Sequence, residues 1–393
     1  MKKAVLLFGI AIMAACCLIA KDAGKDTVLK QESLQLEETK RMSENTAEEE
    51  TAPLLLDLNE LYAFSTLDGE EQQLYVDILS TLLRFETEVT LNTTSAEKLD
   101  KIFQCVLMDH PEIFYIDGYK YTEYTVGEEI RRLTFSGNYL YAKEEADKRT
   151  EQINQSVRDM LSGIDKKATE YEKVKYVYET IIDRTEYDLS ATDNQNICSV
   201  FIGGRSVCQG YAKATQYLLR ELGIASGMVI GTVKNGEGHA WNIVRIDGEW
   251  YYVDTTWGDA YYRLNPDNAI TVGNETPSIN YDYLCVTTAQ LKQTHTIESI
   301  VPLPECTSME ANYYVREGAY FTEYDEEKIK SLFERAQREK RETVTVKCEN
   351  DRIYEELYEK LILEQKVFLF LDDIRGTVAY TNCKEQRSIS FWM

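Results

Sequence analysis

Cys208, His239 and Asp254 follow one another along the middle of the chain, and together these residue types can activate a thiol. Cys208 opens the stretch Cys208-Gln209-Gly210-Tyr211-Ala212-Lys213-Ala214. Its apolar positions continue at helical spacing through Tyr211, Ala214, Leu218, Leu219 and Leu222 until Gly223 stops them. The start of a helix carries partial positive charge, which favours thiolate over thiol, so a nucleophilic cysteine belongs there. Further on, two alternating runs flank Asp247-Gly248, the signal of a two-residue hairpin turn. That turn pairs Ile246 with Glu249, sets His239 opposite Thr256 and sets Asp254 opposite Trp241. Asp254 then becomes the diagonal neighbour of His239 on one sheet face, at a backbone separation of roughly 7–8 Å. A slip of a single residue would send the two to opposite faces.

The chemistry expected of such a set is acyl transfer. Cys208 attacks an acyl carbon, His239 takes the thiol proton and returns it to the leaving group, and Asp254 orients the imidazole. An oxyanion site would combine the Cys208 backbone N–H with one side-chain donor, Gln195 or Asn196, of which Gln195 is the candidate carried forward. Each residue has a plainer reading. A cysteine before a helix is often a small buried hydrophobe, a histidine on a strand is often structural, and an aspartate can simply end a strand. Their joint placement favours the thiol site. Trp241, Trp250 and Trp257 read as packing rather than as a ligand cage.

At these positions the sequence resembles the transglutaminase-like superfamily of papain-type thiol enzymes over residues 171–259. Val207-Cys208-Gln209-Gly210-Tyr211-Ala212, Gly238-His239-Ala240-Trp241-Asn242 and Val253-Asp254-Thr255-Thr256-Trp257 are similar to its three motifs, in order. Tyr187-Asp188 and Gln195-Asn196-Ile197-Cys198-Ser199-Val200-Phe201 look like its bacterial branch. The resemblance implies a Cys-His-Asp triad on Cys208, His239 and Asp254, with no calcium requirement. It leaves the reaction open among transamidation, peptide hydrolysis, glycan removal and inactive members.

The rest of the chain must position these groups. It has 393 residues, with 43 Lys+Arg against 67 Asp+Glu and a net charge of −24, which argues against nucleic acid as a partner. No CxxC pair occurs and only 3 His are present, so a Cys/His metal site has little support. Glycine-rich phosphate loops are missing too, and no cofactor is expected. Residues 1–20 read as an export signal, with Lys2 and Lys3 ahead of an apolar run. Met13-Ala14-Ala15-Cys16 is similar to a lipoprotein signal in which Cys16 is lipidated; a simple cleaved signal and an uncleaved anchor are the alternatives. Residues 21–53 read as a disordered acidic tether.

Residues 54–165 form an N-terminal α+β region, with helices expected over 70–85, from Ser95, and over 146–161, and a strand pair over 113–125 and 131–141. A further helix over 169–182 leads into the transglutaminase-like catalytic domain, residues 166–286. Residues 287–393 form a small C-terminal α+β domain, with strands expected over 313–320, 343–348 and 377–380 and helices over 326–338 and 351–363. The fold class is therefore α+β, with a Cys-bearing helix packed on an antiparallel sheet that bears His and Asp.

His295, in Thr294-His295-Thr296, reads as surface loop, and Cys105 and His110 would not share a helix face. Cys105, Cys198, Cys285, Cys306, Cys348 and Cys383 remain for disulfides or free thiols. The expected function is an exported thiol enzyme working through the Cys-His-Asp triad. Hydrolysis of protein or cell-wall peptide is placed first, and transglutaminase-type cross-linking and a non-catalytic surface binding module are the alternatives. Its partners would be a protein or peptide substrate and the membrane, reached through an N-terminal lipid anchor.

Overall fold

The computed structural model describes residues 2–8, 58–259, 279–371 and 378–393. Cys16 and the acidic tether lie outside the described residues. The chain divides into two compact units, residues 1–143 and 144–393.

The first unit is a four-stranded antiparallel sheet with helices. Its strands are β1 (Lys2–Phe8), β2 (Val89–Leu91), β3 (Ile116–Val126) and β4 (Glu129–Tyr139), in the order β1-β3-β4-β2. β1 pairs with β3 and uses residues that the sequence reading placed in the export signal. Helix α1 spans Tyr62–Ser65. Helix α2 (Gly69–Leu83) begins with a capping box between Asp68 and Glu71, and α3 (Ala96–Asp109) is capped by Ser95. Leu74, Ile78 and Leu82 of α2 and Ile102, Phe103 and Val106 of α3 are buried, as the helical spacing requires. Phe103 packs on Tyr119 of β3 and Phe135 of β4.

The second unit begins with helices α4 (Lys143–Leu161) and α5 (Glu170–Arg184), the latter opened by a Thr169/Glu172 capping box. A short parallel pair, β5 (Glu186–Tyr187) and β6 (Arg205–Ser206), brackets α6 (Ile197–Phe201). Helix α7 runs over Cys208–Glu221. The sheet that follows comprises β7 (Ser226–Val233), β8 (Gly238–Ile246), β9 (Glu249–Val253), β10 (Leu284–Val286) and β11 (His295–Ile297), in the antiparallel order β10-β9-β8-β7-β11. Asp247 (φ 52°) and Gly248 (φ 92°) make the β8–β9 turn, and Ile246 pairs with Glu249. The ladder stops at Asn242 and Val253, and the chain leaves β9 into α8 (Thr255–Gly258), with Asp254 as its N-cap.

Beyond β11, a second sheet has the order β12 (Tyr320–Phe321), β13 (Thr343–Cys348), β15 (Ser388–Trp392), β14 (Tyr380–Cys383). Helices Glu326–Glu339 and Asp351–Tyr358 cover it, with Phe333, Ile353, Leu357, Val346, Ile389 and Phe391 in one core. The strand expected over 313–320 is instead a short helix, Tyr313–Arg316. Asn312 caps it by accepting from the Tyr314 N–H, and Gly318 (φ 63°) turns the chain out of it.

The architecture is α+β. The expected core, a helix bearing Cys on a sheet bearing His and Asp as the reacting set, requires correction. Asp254 sits past the sheet at a helix cap, and the edge strand β11 brings in a second histidine. Among the described residues, the cluster of ligand-type atoms is His239, Asp254 and His295, with no cysteine in it.

Candidate active site

Cys208 is the first residue of α7 and is buried, as are His239, Asp254 and His295. Several hydrogen bonds hold α7 against the elements that carry the other groups. Asn242 of β8 donates from Nδ2 to the Ala212 carbonyl at 3.0 Å, one turn beyond Cys208. Thr215 and Thr255 join α7 to α8 at 3.0 Å, and the Tyr211 hydroxyl donates to Asp259 Oδ2 at 3.0 Å. Gly210 permits the close packing on α6: a Cβ there would stand 1.9 Å from Ser206 Oγ and 2.8 Å from Ser199 Oγ.

The Asp254 carboxylate accepts from four donors. Oδ1 takes the backbone N–H groups of Thr256 and Trp257, each at 3.0 Å. Oδ2 takes His239 Nε2 at 2.8 Å and His295 Nε2 at 3.1 Å. Burial pushes Asp254 up, but the His239 charge and the hydrogen bonds from both imidazoles outweigh it and hold the carboxyl well below its usual range. Burial alone would lower His239. The Asp254 carboxylate, followed by a hydrogen bond and charge interaction with Cys208, instead raises it to about 10. With Nε2 engaged by Asp254, Nδ1 is the ring nitrogen left to face the Cys208 sulfur.

His295 is not surface loop. Its β11 strand pairs with β7, Thr296 facing Thr232 and Ile297 facing Gly231. A Cβ on Gly231 would stand 1.9 Å from the Thr296 carbonyl oxygen, so glycine lets β11 close on the sheet. The His295 ring is walled by Trp241, Trp257 and Tyr283, with centroid distances of 5.0, 4.7 and 5.6 Å. Two of the tryptophans read as packing thus enclose the histidines, and Trp241 lies 5.8 Å from the His239 ring.

This arrangement overturns the self-contained Cys-His-Asp triad and the hydrolysis built on it. Asp254 serves two histidines, and the tight cluster lacks a cysteine. The three ligand atoms lie within 4.8 Å of one another, close enough for a metal ion. Both imidazole nitrogens already engage Asp254 Oδ2, however, so a cation there would have to displace both hydrogen bonds.

Asn196 is committed elsewhere, since its side chain caps α6 by accepting from the Cys198 N–H at 2.9 Å. Gln195 keeps a buried Oε1 without a hydrogen-bond partner among the described residues. Its neighbour Asn194 packs on the first turn of α7, with its carbonyl 3.0 Å from the place of a Gly210 Cβ. Cys105, Cys198, Cys208, Cys285, Cys306, Cys348 and Cys383 are free thiols. Burial pushes Cys198 up to about 11, pushes Cys105, Cys306 and Cys348 up to about 12, and raises Cys285 further. No described helix is long and apolar enough to cross a membrane.

Residues 158–255 match the family model described as the transglutaminase-like superfamily. Kyphoscoliosis peptidase of Mus musculus is 26% identical over 136 residues, 30% of this chain and 21% of that protein. The Homo sapiens protein of the same name is 28% identical over 122 residues, 27% of this chain and 18% of that protein. The chain therefore spans about a fifth of the length of these curated relatives. Among solved structures, a TGase crystal structure is similar at a TM-score of 0.26 and 16% identity, over 42% of this chain and 47% of that chain. The periplasmic domain of TgpA from Pseudomonas aeruginosa is similar at a TM-score of 0.22 and 15% identity, over 34% and 57% respectively. Cys208, His239 and Asp254 fall inside the segment that matches the transglutaminase-like superfamily model, and His295 falls beyond it.

Proposed function

We propose that the protein is a transglutaminase-like cysteine peptidase or acyltransferase in which Cys208 is the nucleophile and a His-Asp-His assembly stands behind it. The observation that carries this reading is the buried His239–Asp254 pair, its carboxylate held by four donors, with Cys208 at the start of α7 contributing to the raised proton affinity of His239. With its proton affinity raised to about 10, His239 holds the thiol's proton as an imidazolium N–H while the sulfur attacks an acyl carbon. The same N–H then faces the leaving group. Asp254 stays ionised and stabilises the imidazolium. The dry aromatic wall around both histidines strengthens that interaction. Gln195 and the Cys208 backbone N–H are proposed as donors to the developing oxyanion.

The curated relatives are named peptidases, which supports a protein or peptide substrate. An extracytoplasmic location and a lipid on Cys16 rest on the signal-like start of the sequence. The mass of the mature N-terminus separates a lipidated Cys16 from a retained Met1.

The test of the site is alkylation of the full chain with iodoacetamide across pH, read at Cys208 by peptide mapping, beside His239→Ala. Rapid labelling of Cys208 ahead of the other buried thiols, slowed at least about tenfold in His239→Ala, supports the reading. Labelling at Cys208 that ignores His239 would sink it. A burst of p-nitrophenol from p-nitrophenyl acetate, absent in Cys208→Ala, would add the acyl-enzyme step.

A further inference from the structure

Of the two imidazoles on Asp254, His239 is the one whose proton affinity Cys208 helps to raise. The other, His295, begins a line of buried side chains that runs into the C-terminal sheet. His295 Nδ1 lies 2.8 Å from Thr294 Oγ1, and that hydroxyl lies 3.4 Å from the Tyr283 phenol oxygen. Gln386 donates from Nε2 to the Tyr283 oxygen at 2.9 Å, and its Oε1 accepts from Lys347 Nζ at 3.2 Å. Lys347 also pairs with Asp282 at 2.8 Å, and Ser388 Oγ donates to the second Asp282 oxygen at 3.1 Å. Tyr283, Thr294, His295, Lys347 and Gln386 are all buried.

The chemistry of the far end sets the direction of this line. An ammonium has donors only, so Lys347 must face the Gln386 carbonyl, which turns the amide N–H₂ toward Tyr283. The Tyr283 oxygen then accepts from Gln386, and its O–H points on to Thr294. The Thr294 hydroxyl in turn has two acceptors within reach, and His295 Nδ1 at 2.8 Å is nearer than the Leu291 carbonyl at 3.4 Å. An Nδ1 that accepts leaves the ring proton on Nε2, where it donates to Asp254. Every bond from Lys347 to Asp254 then runs the same way, whereas a His295 with its proton on Nδ1 alone would turn a bare Nε2 to the Asp254 carboxylate, acceptor facing acceptor.

We infer that Lys347, Gln386, Tyr283 and Thr294 form a tautomer-setting relay through which the C-terminal sheet makes His295 a positioning residue for the Asp254–His239 pair. The relay stands on its own hydrogen bonds. Only its consequence for Cys208 rests on the function proposed above.

The experiment is imidazole ¹⁵N NMR on the full chain labelled at histidine. With 3 His in the chain, the ring signals are separable. Wild type should show His295 with Nε2 protonated and Nδ1 bare. Thr294→Val and Gln386→Leu should each move it toward mixed tautomers, and Thr294→Ser should restore the wild-type pattern. Iodoacetamide labelling of Cys208 should fall about tenfold in Thr294→Val and recover in Thr294→Ser, the worth of about one buried hydrogen bond.

Unchanged His295 ring shifts in folded Thr294→Val or Gln386→Leu would overturn the relay, as would equal losses in Thr294→Val and Thr294→Ser. If Thr294→Val does not fold, Gln386→Leu carries the same readout. Labelling of Cys208 that is indifferent to His239→Ala defeats the thiol reading, and the ring shifts still decide the relay.

Discussion

Each unit of the molecule buries a carboxylate, and the two behave in opposite ways. In the first unit, Asp109 accepts from the Ala63 and Phe64 N–H groups at 2.9 and 2.8 Å and from the Tyr75 hydroxyl at 3.0 Å. Burial dominates there and the carboxyl is raised, because three neutral donors and the His110 charge nearby offset only part of the lost hydration. In the second unit, Asp254 also takes two backbone N–H groups, but two imidazoles replace the phenol and the carboxyl is lowered. Asp109 is a knot that ties the start of α1 to the end of α3. Asp254 is held as an anion between two histidines. A bonded buried carboxylate is thus not in itself one held below its usual range; the charge on its donors makes the difference.

Substitutions should separate the two roles. The largest expected effect is Asp254→Asn, which removes the anion and misorients His239: turnover of p-nitrophenyl acetate should fall by about 10⁴-fold. Asp109→Asn should leave that rate unchanged, and a comparable loss in both would erase the contrast. Next comes Gln195→Ala, expected to lower the same rate about 10²–10³-fold with labelling of Cys208 preserved, because an oxyanion donor acts after attack. Asp109→Ala should instead lower stability in urea by about 3 kcal/mol, since it strands two buried N–H groups and a phenol. Gly210→Ala, forced against Ser206 and Ser199, should cost about 1–3 kcal/mol and slow Cys208 labelling as the helix start shifts.

The smallest effects are in pH dependence, and there the two carboxylates oppose each other. Asp254 is lowered on folding, so its contribution to stability is complete above its ordinary value of 3.8 and fades as pH falls below it. Asp109 is raised on folding, so its contribution is complete below 3.8 and fades as pH rises through its higher native value. Asp254→Asn should make the acid limb of a urea-midpoint profile shallower and Asp109→Asn should make it steeper. Shifts of the same sign would refute the assignment. His239, raised from 6.5 to about 10, adds stability that is full below 6.5 and is lost as pH climbs through about 10, so His239→Gln should flatten the alkaline limb.

Short-range order governed what could be read from the residues alone. Ser95 and Thr169 cap their helices, Gly223 with φ 72° follows α7, and Asp247-Gly248 sets the β8–β9 register, each from neighbours a few residues apart. That register was enough to bring His239 and Asp254 to one side, although Asp254 proved to be a helix cap rather than a strand residue. The 313–320 stretch misled because its tyrosines suit a strand as well as a short helix, and Asn312 decided between them.

His295 carried no local signal at all. Its strand has only three residues, and its partners lie far off in the chain: Asp254 is 41 positions before it, and the line behind it ends at Lys347 and Gln386. The sequence by itself therefore determined the helix that begins at Cys208 and the hairpin that carries His239. Only the tertiary structure decided that Asp254 is shared by two histidines and joined to the C-terminal sheet. Local propensity acts over a turn or a strand pair, whereas a buried polar group takes whichever donors the packing of distant segments delivers.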